Sequence, residues 1–454
     1  MRTSTRLRPT FMRFRSYFYS LLRKYLSLFI LPQNSVVEVD PTTPLLVASL
    51  PHGRITFRPA NSSAANTFEA DKIVPIANVF EQNPDYLVIS GLIHYERNIQ
   101  GLLAGLHRMS HAGTRLIVVY YSSVWRPFIR LASALGLRER LPESNWLAHE
   151  DIDNLLALEN FEIIRRDNRV LIPFYLPIIS NLVNRYLAPL PGFRLLSLVN
   201  ILVARPIRQD RPSNSPSVSI VIPARNEAGN IEAIVTRVPT MGPNDEIIFV
   251  EGHSTDATWQ TMQRVADTYG ATRRIVLAQQ DGKGKGDAVR KGFALANNEI
   301  LMILDADITV PPEDLSKFYA AITADKGEFI NGSRLVYPME DRAMRFFNLL
   351  GNKFFAVAFS FVLGQRFKDT LCGTKVLSRS NYAKLAANRS YFGEFDPFGD
   401  FDLLFGASRM GLRIIELPIN YKNRRYGDTN ISRWRHGTIL LAMLFFSARR
   451  IKFI

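Results

Sequence analysis

The chain has 454 residues, room for two or three domains. With 47% apolar and 21% charged residues it can build full cores, which excludes wholesale disorder. A single cysteine, Cys372, excludes an intrachain disulfide and a cysteine-based zinc cluster, and fits a reducing, cytosolic setting. The net charge of +15 sits almost wholly at the two ends: residues 1–30 hold seven basic residues and no acid, and residues 421–454 hold eight and one acid, Asp428. The body between is near neutral, so a nucleic-acid-binding body is not expected.

Residues 1–30 set Phe11, Phe14, Tyr17, Phe18, Leu21, Leu22, Tyr25 and Leu28 at helical spacing among Arg13, Arg15, Arg23 and Lys24. Such a basic amphipathic helix suits either a membrane interface or the surface of its own domain. Its apolar run is too short to span a bilayer, and no signal-peptide core with a cleavage site is present.

From 31 to 205, short β-branched runs alternate with helical patterns, the mark of an α/β parallel sheet. Strands are predicted at Ser35–Val39, Tyr86–Ser90, Thr114–Tyr120, Phe161–Arg165 and Val199–Ala204. The runs Asp85-Tyr-Leu-Val-Ile-Ser90, Thr114-Arg-Leu-Ile-Val-Val-Tyr-Tyr121 and Asn145-Trp-Leu-Ala-His-Glu-Asp-Ile-Asp-Asn-Leu-Leu156 resemble the later half of a class I S-adenosylmethionine-dependent methyltransferase. The resemblance implies a Rossmann-like sheet, but the cofactor half departs from it. Where the family has a glycine-rich turn, this chain reads Val37-Glu-Val-Asp-Pro-Thr-Thr-Pro44. Without glycine the backbone cannot approach a cofactor closely, and two prolines lock φ there. Thr56 stands where the family has an acidic ribose clamp, and Asp71 reads as an ordinary surface aspartate. The domain is therefore expected to be a degenerate methyltransferase fold, kept for packing, docking or regulation.

Residues 206–217, with three prolines and no apolar periodicity, read as a linker. The next strand, in Val218-Ser-Ile-Val-Ile-Pro-Ala-Arg-Asn-Glu227, runs into a polar turn; a second, Asp245–Val250, ends in Glu251-Gly-His-Ser-Thr-Asp256. In a parallel sheet both ends lie at the carboxyl edge, where ligands bind. Asn226, Glu227 and Asp256 could equally cap helices. Gly282-Lys-Gly-Lys-Gly-Asp287 opens a helix, an arrangement that suits phosphate through backbone N–H groups and lysine charge, although it lacks Walker spacing. Ile300–Leu304 then ends in Asp305-Ala-Asp307. Carboxylates at i and i+2 of a strand share a face, so both can approach one hard cation, Mg²⁺ or Mn²⁺, and the diphosphate it neutralises.

This ordered set resembles the family 2 glycosyltransferases of GT-A fold, in particular their dolichol-phosphate-mannose-synthase-like branch, over about residues 217–450. The resemblance implies an α/β two-domain chain with a GT-A domain at 218–430 and a basic amphipathic tail at 431–454. It implies that Pro223, Ala224, Arg225, Asn226 and Glu227 line the nucleotide pocket, with Glu251 near the base and Asp256 beside it. Gly252 and His253 replace the family's Asp-Gly. Lys283 and Lys285 would meet the diphosphate, Asp305 the ribose or metal, and Asp307 the metal. Phe329-Ile-Asn-Gly-Ser-Arg334 and Asp369-Thr-Leu-Cys-Gly-Thr-Lys375 resemble its donor-sugar and acceptor segments. Arg425 would reach the phosphates, and Asp369, Asp400 and Asp402 are candidate bases. Each of these aspartates could instead cap a turn or helix.

Phe346, Phe347, Phe354, Phe355, Phe359 and Phe361 make residues 343–363 an aromatic patch, either membrane-facing or core. The last residues place Thr438–Ala448 between Arg433-Trp-Arg435 and Arg449, Arg450 and Lys452, which favours an anionic membrane surface. The expected reaction is transfer, with inversion, from a nucleotide-diphosphate sugar to a polyprenyl phosphate or lipid-linked glycan at the cytoplasmic face of a membrane. A bifunctional or regulatory methyltransferase-like protein and a non-catalytic sugar-nucleotide scaffold are the alternatives; no nucleic-acid partner is expected.

Overall fold

The computed structural model describes residues 9–31, 34–39, 54–57, 84–136, 145–208, 215–337, 346–389, 401–424, 426 and 433–454. The chain forms two compact units, residues 1–211 with 450–454, and residues 212–449. The break lies within 206–217.

The first unit opens on α1 (Pro9–Leu26) and carries a six-stranded sheet: β1 (Val36–Val39), β2 (Arg54–Phe57), β3 (Tyr86–Ser90), β4 (Arg115–Tyr121), β5 (Phe161–Arg169) and β6 (Val199–Pro206). Their order is β2-β1-β3-β4-β6-β5. β1 to β4 pair in parallel, and β6 enters antiparallel between β4 and β5. Helices α2 (Ile99–Met109), α3 (Arg126–Ala134) and α4 (His149–Leu158) connect strands. Two apolar layers cover the faces. One sets Leu103, Leu106, Ile152 and Leu156 against the sheet. The other sets Leu21, Leu22, Tyr25, Leu26, Phe29 and Ile30 against it. The later half of the 1–30 segment is thus core of this unit, because its apolar stripe meets an uncovered sheet face.

The tail read as 431–454 is divided. Its helix belongs to the second unit, whereas residues 450–454 complete the first. On β5, Arg165, Asp167 and Arg169 alternate on one face and are buried. Asp167 lies 2.6 Å from Arg165 and 3.1 Å from Lys452 Nζ, and Arg169 donates to the Lys452 carbonyl at 2.7 Å. Arg165 sits over Phe29 and Arg169 over Tyr25. One carboxylate therefore serves three cations. Burial pushes Asp167 up, but Arg165, Lys452 and Arg169 together hold it well below the usual carboxylate range. The surplus positive charge falls on Lys452, whose pKa burial and the two guanidiniums lower to about 8, because an arginine cannot shed its proton. Lys452 is thus buried and paired rather than presented to a membrane.

The second unit holds β7 (Val218–Ala224), β8 (Glu246–Glu251), β9 (Arg274–Gln279), β10 (Ile300–Ile303), β11 (Phe329–Ser333), β12 (Lys375–Ser378) and β13 (Ile414–Pro418), in the order β13-β11-β12-β10-β7-β8-β9. Only β12 is antiparallel to its neighbours. Helices α5 (Ile231–Arg237), α6 (Thr258–Tyr269), α7 (Gly284–Leu295) and α8 (Leu315–Thr323) follow the first strands; α9 (Phe346–Leu363), α10 (Arg379–Ala387), α11 (Phe401–Arg409) and α12 (Arg433–Ser447) come later. This is the α/β, GT-A-like layout. In the aromatic patch Phe355 and Phe359 are buried, Phe359 packing against Phe401 and Phe405 of α11. Leu350, Phe354 and Val357 face outward; the side chains of Phe346 and Phe347 lie outside the described residues. Among the described residues no helix is long and apolar enough to cross a membrane.

The Lys452 site makes stability pH-dependent. The folded chain releases this proton near pH 8 and the unfolded chain only near 10.4. Between those values the unfolded state binds more protons, so stability rises with pH, by up to about 3 kcal/mol. Thermal unfolding at pH 8 and pH 10 should show wild type gaining on Lys452→Met; parallel profiles would refute the assignment.

Candidate functional site

Parallel register gathers the site. Ala224 pairs across Glu251, which pairs across Gln279, and Ile303 pairs with Val221, so β7, β8, β9 and β10 end along one edge. β11 and β13 run the same way, and the antiparallel β12 starts where they finish, which brings 369–374 to the same edge. The motifs that follow β7, β8, β9 and β10, and the 369–374 segment before β12, lie at that edge.

Strand β7 ends on Pro223 and Ala224; the loop after it begins at an exposed Arg225 and turns at Asn226, whose φ of 57° is left-handed. Asn226 Oδ1 accepts from the Thr255 amide at 2.7 Å, and its own amide donates to Ser254. Asp256 accepts from the Ala228 amide, from Thr258 and from Tyr426. Asn226 and Asp256 therefore lock the β7 and β8 loops together. Glu251 is buried and accepts from the Ser254 amide and from Gln279. His253 also has a left-handed φ, 57°, and contacts the Gly282 carbonyl.

After β9, Lys283 is exposed at the N-cap of α7. Lys285, in its first turn, pairs with Asp305 at 2.6 Å. A Cβ on Gly373 would collide with both partners of that pair, so glycine is required where the chain passes over it.

The strand β10 ends at Ile303, so Asp305 and Asp307 lie in the turn beyond it rather than on the strand. A shared strand face therefore does not place them; both leave the sheet in this turn. Ile308 has a φ of 54°, a costly conformation for a β-branched residue, which marks a turn held by its surroundings. Asp307 Oδ1 accepts from the amide and hydroxyl of Thr309, and Oδ2 accepts from Arg424 at 2.8 Å. The other arm of Arg424 donates to Glu227 Oε1 at 2.9 Å, while Asn230 donates to Glu227 Oε2. Burial raises the Glu227 pKa, and the Arg424 charge opposes that. Lys422 donates its amide to the Thr309 carbonyl, and a Cβ on Gly229 would strike the Tyr426 ring. The loop after β13 thus closes on the loops after β7 and β10.

Arg425, the arginine named from the sequence, lies outside the described residues, as does Asp400. Arg424 is the residue that sequence reasoning missed. The run Lys422-Asn-Arg-Arg425 signals a cationic loop but not that Arg424 reaches Asp307 and Glu227.

Asp369 is fully buried and gripped by Arg334 through two bonds of 2.7 and 2.8 Å. Burial would raise its pKa, but Arg334 holds it below the usual range. Arg334 also sits over Tyr421. Asp402 pairs with Arg389 at 3.2 Å. Cys372 is buried, which pushes its thiol up to about 11.

Residues 219–385 match the model of Glycosyl transferase family 2. Among curated relatives, glycosyltransferase AglJ of Haloferax volcanii is 28% identical over 235 residues, 51% of this chain and 72% of that one. A dolichol-phosphate mannosyltransferase of Pyrococcus furiosus is 34% identical over 26% of this chain, and the match spans 33% of its own length. An undecaprenyl-phosphate 4-deoxy-4-formamido-L-arabinose transferase of Edwardsiella ictaluri is 24% identical over 47% of this chain and 62% of its own. The crystal structure of glucosyl-3-phosphoglycerate synthase from Mycobacterium tuberculosis is 20% identical, covers 52% of this chain and 81% of that one, and superposes with a TM-score of 0.37. Nothing is carried over from that distant likeness.

The Arg334–Asp369 pair yields a test. Replacing Asp369 with Asn strands a buried guanidinium and should cost about 3–5 kcal/mol of unfolding free energy by denaturant titration. A variant as stable as wild type but inactive would return Asp369 to the role of a base.

Proposed function

We propose that this family 2 glycosyltransferase moves a sugar, with inversion, from a nucleotide-diphosphate donor to a polyprenyl phosphate or lipid-linked glycan, on the cytoplasmic face of a membrane. One observation carries the reading: each carboxylate of Asp305-Ala-Asp307 is paired with a cation from a different loop, Lys285 and Arg424, at one sheet edge. Such paired charges are poised to exchange partners when a phosphate-bound cation arrives.

The donor set fits Mg²⁺ or Mn²⁺. Asp305 and Asp307 offer hard oxygens from one turn, and no third acidic or histidine side chain completes a protein-only cage among the described residues. That suits a cation finished by diphosphate oxygens and water. Bound there, the ion would neutralise charge growing on the leaving diphosphate. The chain's own part is to hold Asp307 through Thr309, and to keep Lys285 and Arg424 within reach of phosphate. The loops from Pro223 to Glu227 and from Glu251 to Asp256 would bind the nucleoside, with Lys283 at a helix N-terminus beside the diphosphate.

The state of the two described late aspartates favours an anionic acceptor. Asp369 is sealed by Arg334 and Asp402 is paired with Arg389. A polyprenyl phosphate is already a nucleophile and needs no general base, whereas a hydroxyl would. The relatives named for dolichol-phosphate and undecaprenyl-phosphate transfer support the same class. Exposed Phe354 and Val357 on α9 and Phe445 on α12 support a lipid-side approach.

A second reading concerns the first unit only. Its sheet order, with the last strand inserted antiparallel beside β4, supports a methyltransferase-like ancestry. The turn at Asp40–Pro44 lies outside the described residues. S-adenosylmethionine binding, absent by calorimetry, is the expected result for a degenerate cofactor site.

Purified protein, offered a panel of nucleotide sugars with Mg²⁺ or Mn²⁺ and polyprenyl phosphate, should form lipid-linked product. Asp307→Ala should lower turnover on the order of 10²–10³-fold. Nucleotide binding without turnover would favour the scaffold reading. Calorimetry with Mn²⁺ alone supplies a readout independent of activity. Removing the competing guanidinium by Arg424→Gln should tighten Mn²⁺ roughly tenfold, the effect of deleting one like charge near the site; unchanged or weaker binding would exclude Arg424 as the resident counter-cation.

A further inference from the structure

We propose that the first unit docks on an anionic lipid bilayer through the end of its sheet where β4 and β5 finish and β6 begins. The inference rests on the lipid-acceptor reading for its biological sense, but on separate observations for its site. Tyr121 and Arg169 both pair with Val199, so the segment that leaves β4 and the segment that joins β5 to β6 emerge at one edge. Trp125 Nε1 donates to the Leu196 carbonyl at 2.7 Å, which ties the two segments together.

Both segments turn large apolar side chains outward. Phe128, Leu131 and Leu135 do so in and beyond α3, and Ile178, Phe193 and Leu195 in the β5–β6 connection. Exposures of 73% for Ile178 and 67% for Leu195 show side chains with no packing role in this unit. The connection is a chain of short helical turns, Ile179–Leu182, Val183–Leu187 and Phe193–Leu196, anchored below by Asn184 and Ser180. Two segments that expose large apolar side chains from one edge of a folded unit, tied by the Trp125–Leu196 bond, mark an interaction site.

Charge selects the occupant. No acid occurs between Asp167 and Asp210, nor from Ser122 to Leu135, while Arg126, Arg130 and Arg194 are exposed among the apolar side chains. Apolar side chains interleaved with arginine, and stripped of carboxylates, complement a headgroup layer over acyl chains. The sequence pointed instead to the C-terminal basic residues, of which Lys452 is buried.

The test is sedimentation of the full chain with vesicles of phosphatidylcholine alone or doped with phosphatidylglycerol, without substrate. The double variant Ile178→Asp, Leu195→Asp changes only exposed positions and should lower partitioning into both vesicles on the order of tenfold or more. The triple variant Arg126→Gln, Arg130→Gln, Arg194→Gln should weaken only the anionic vesicles. Undiminished binding by the double variant would overturn the inference. So would a lipid-free wild-type dimer that the double variant splits, since a second copy would then own this face. An inactive chain that still binds vesicles through these residues would sink the proposed transferase and leave the docking surface standing.

Discussion

The hydrogen-bond register of a parallel sheet is the constraint on which the second unit depends. Once Val221 is paired with Ile303, Ala224 with Glu251, and Glu251 with Gln279, the loops after β7, β8, β9 and β10 have no choice but to leave at one edge. Parallel pairing needs long crossovers, so those loops come from positions far apart in sequence and carry unrelated chemistry. Helices α5, α6 and α7 cover the faces, and the backbone is satisfied in the ladder, leaving the edge for ligand. The single antiparallel strand β12 extends this logic: by entering reversed it delivers Asp369 and Gly373 from its start to the edge where the others deliver their ends.

At that edge each of three carboxylates has a cationic partner, one of them shared. Asp305 with Lys285, and Asp307 and Glu227 with Arg424, form three charge-assisted contacts that tie together the segments after β7, β9, β10 and β13. The pairing has a functional meaning because neither the Asp305 nor the Asp307 pair is sealed. Both are partly open to solvent, unlike Arg334 and Asp369, whose carboxylate has no exposure at all. Open pairs can change partners at modest cost, whereas a buried pair is costly to break. The contrast is one of exposure: the Asp305 and Asp307 pairs are reachable by solvent and the Asp369 pair is not.

In the first unit a different economy holds. Residues 450–454 return after the whole second unit to finish a buried cluster around Asp167. A strand reading Arg165-Arg-Asp-Asn-Arg169 looks like a solvent face by composition. It is buried because α1 and the returning segment lie over it, with Tyr25 and Phe29 stacked on the guanidiniums. Meanwhile apolar residues that composition would assign to a core, such as Ile178 and Leu195, are left outside.

The amino-acid sequence by itself left β2, β9, β12 and β13 illegible as strands, but determined many of the others, β1, β3, β4, β7, β8 and β10 among them, and the residue types that follow them. These are local properties: β-branched runs, turn residues and the placement of carboxylates and lysines do not need a partner to be read. Tertiary structure alone decided that Arg424 reaches back to Asp307 and Glu227, and that Asp369 is sealed by an arginine 35 residues earlier. It also decided which charged strand is buried and which apolar segment is exposed. The physical reason is that burial and charge pairing belong to two surfaces meeting, and periodicity along one segment carries no record of what the rest of the chain will bring against it.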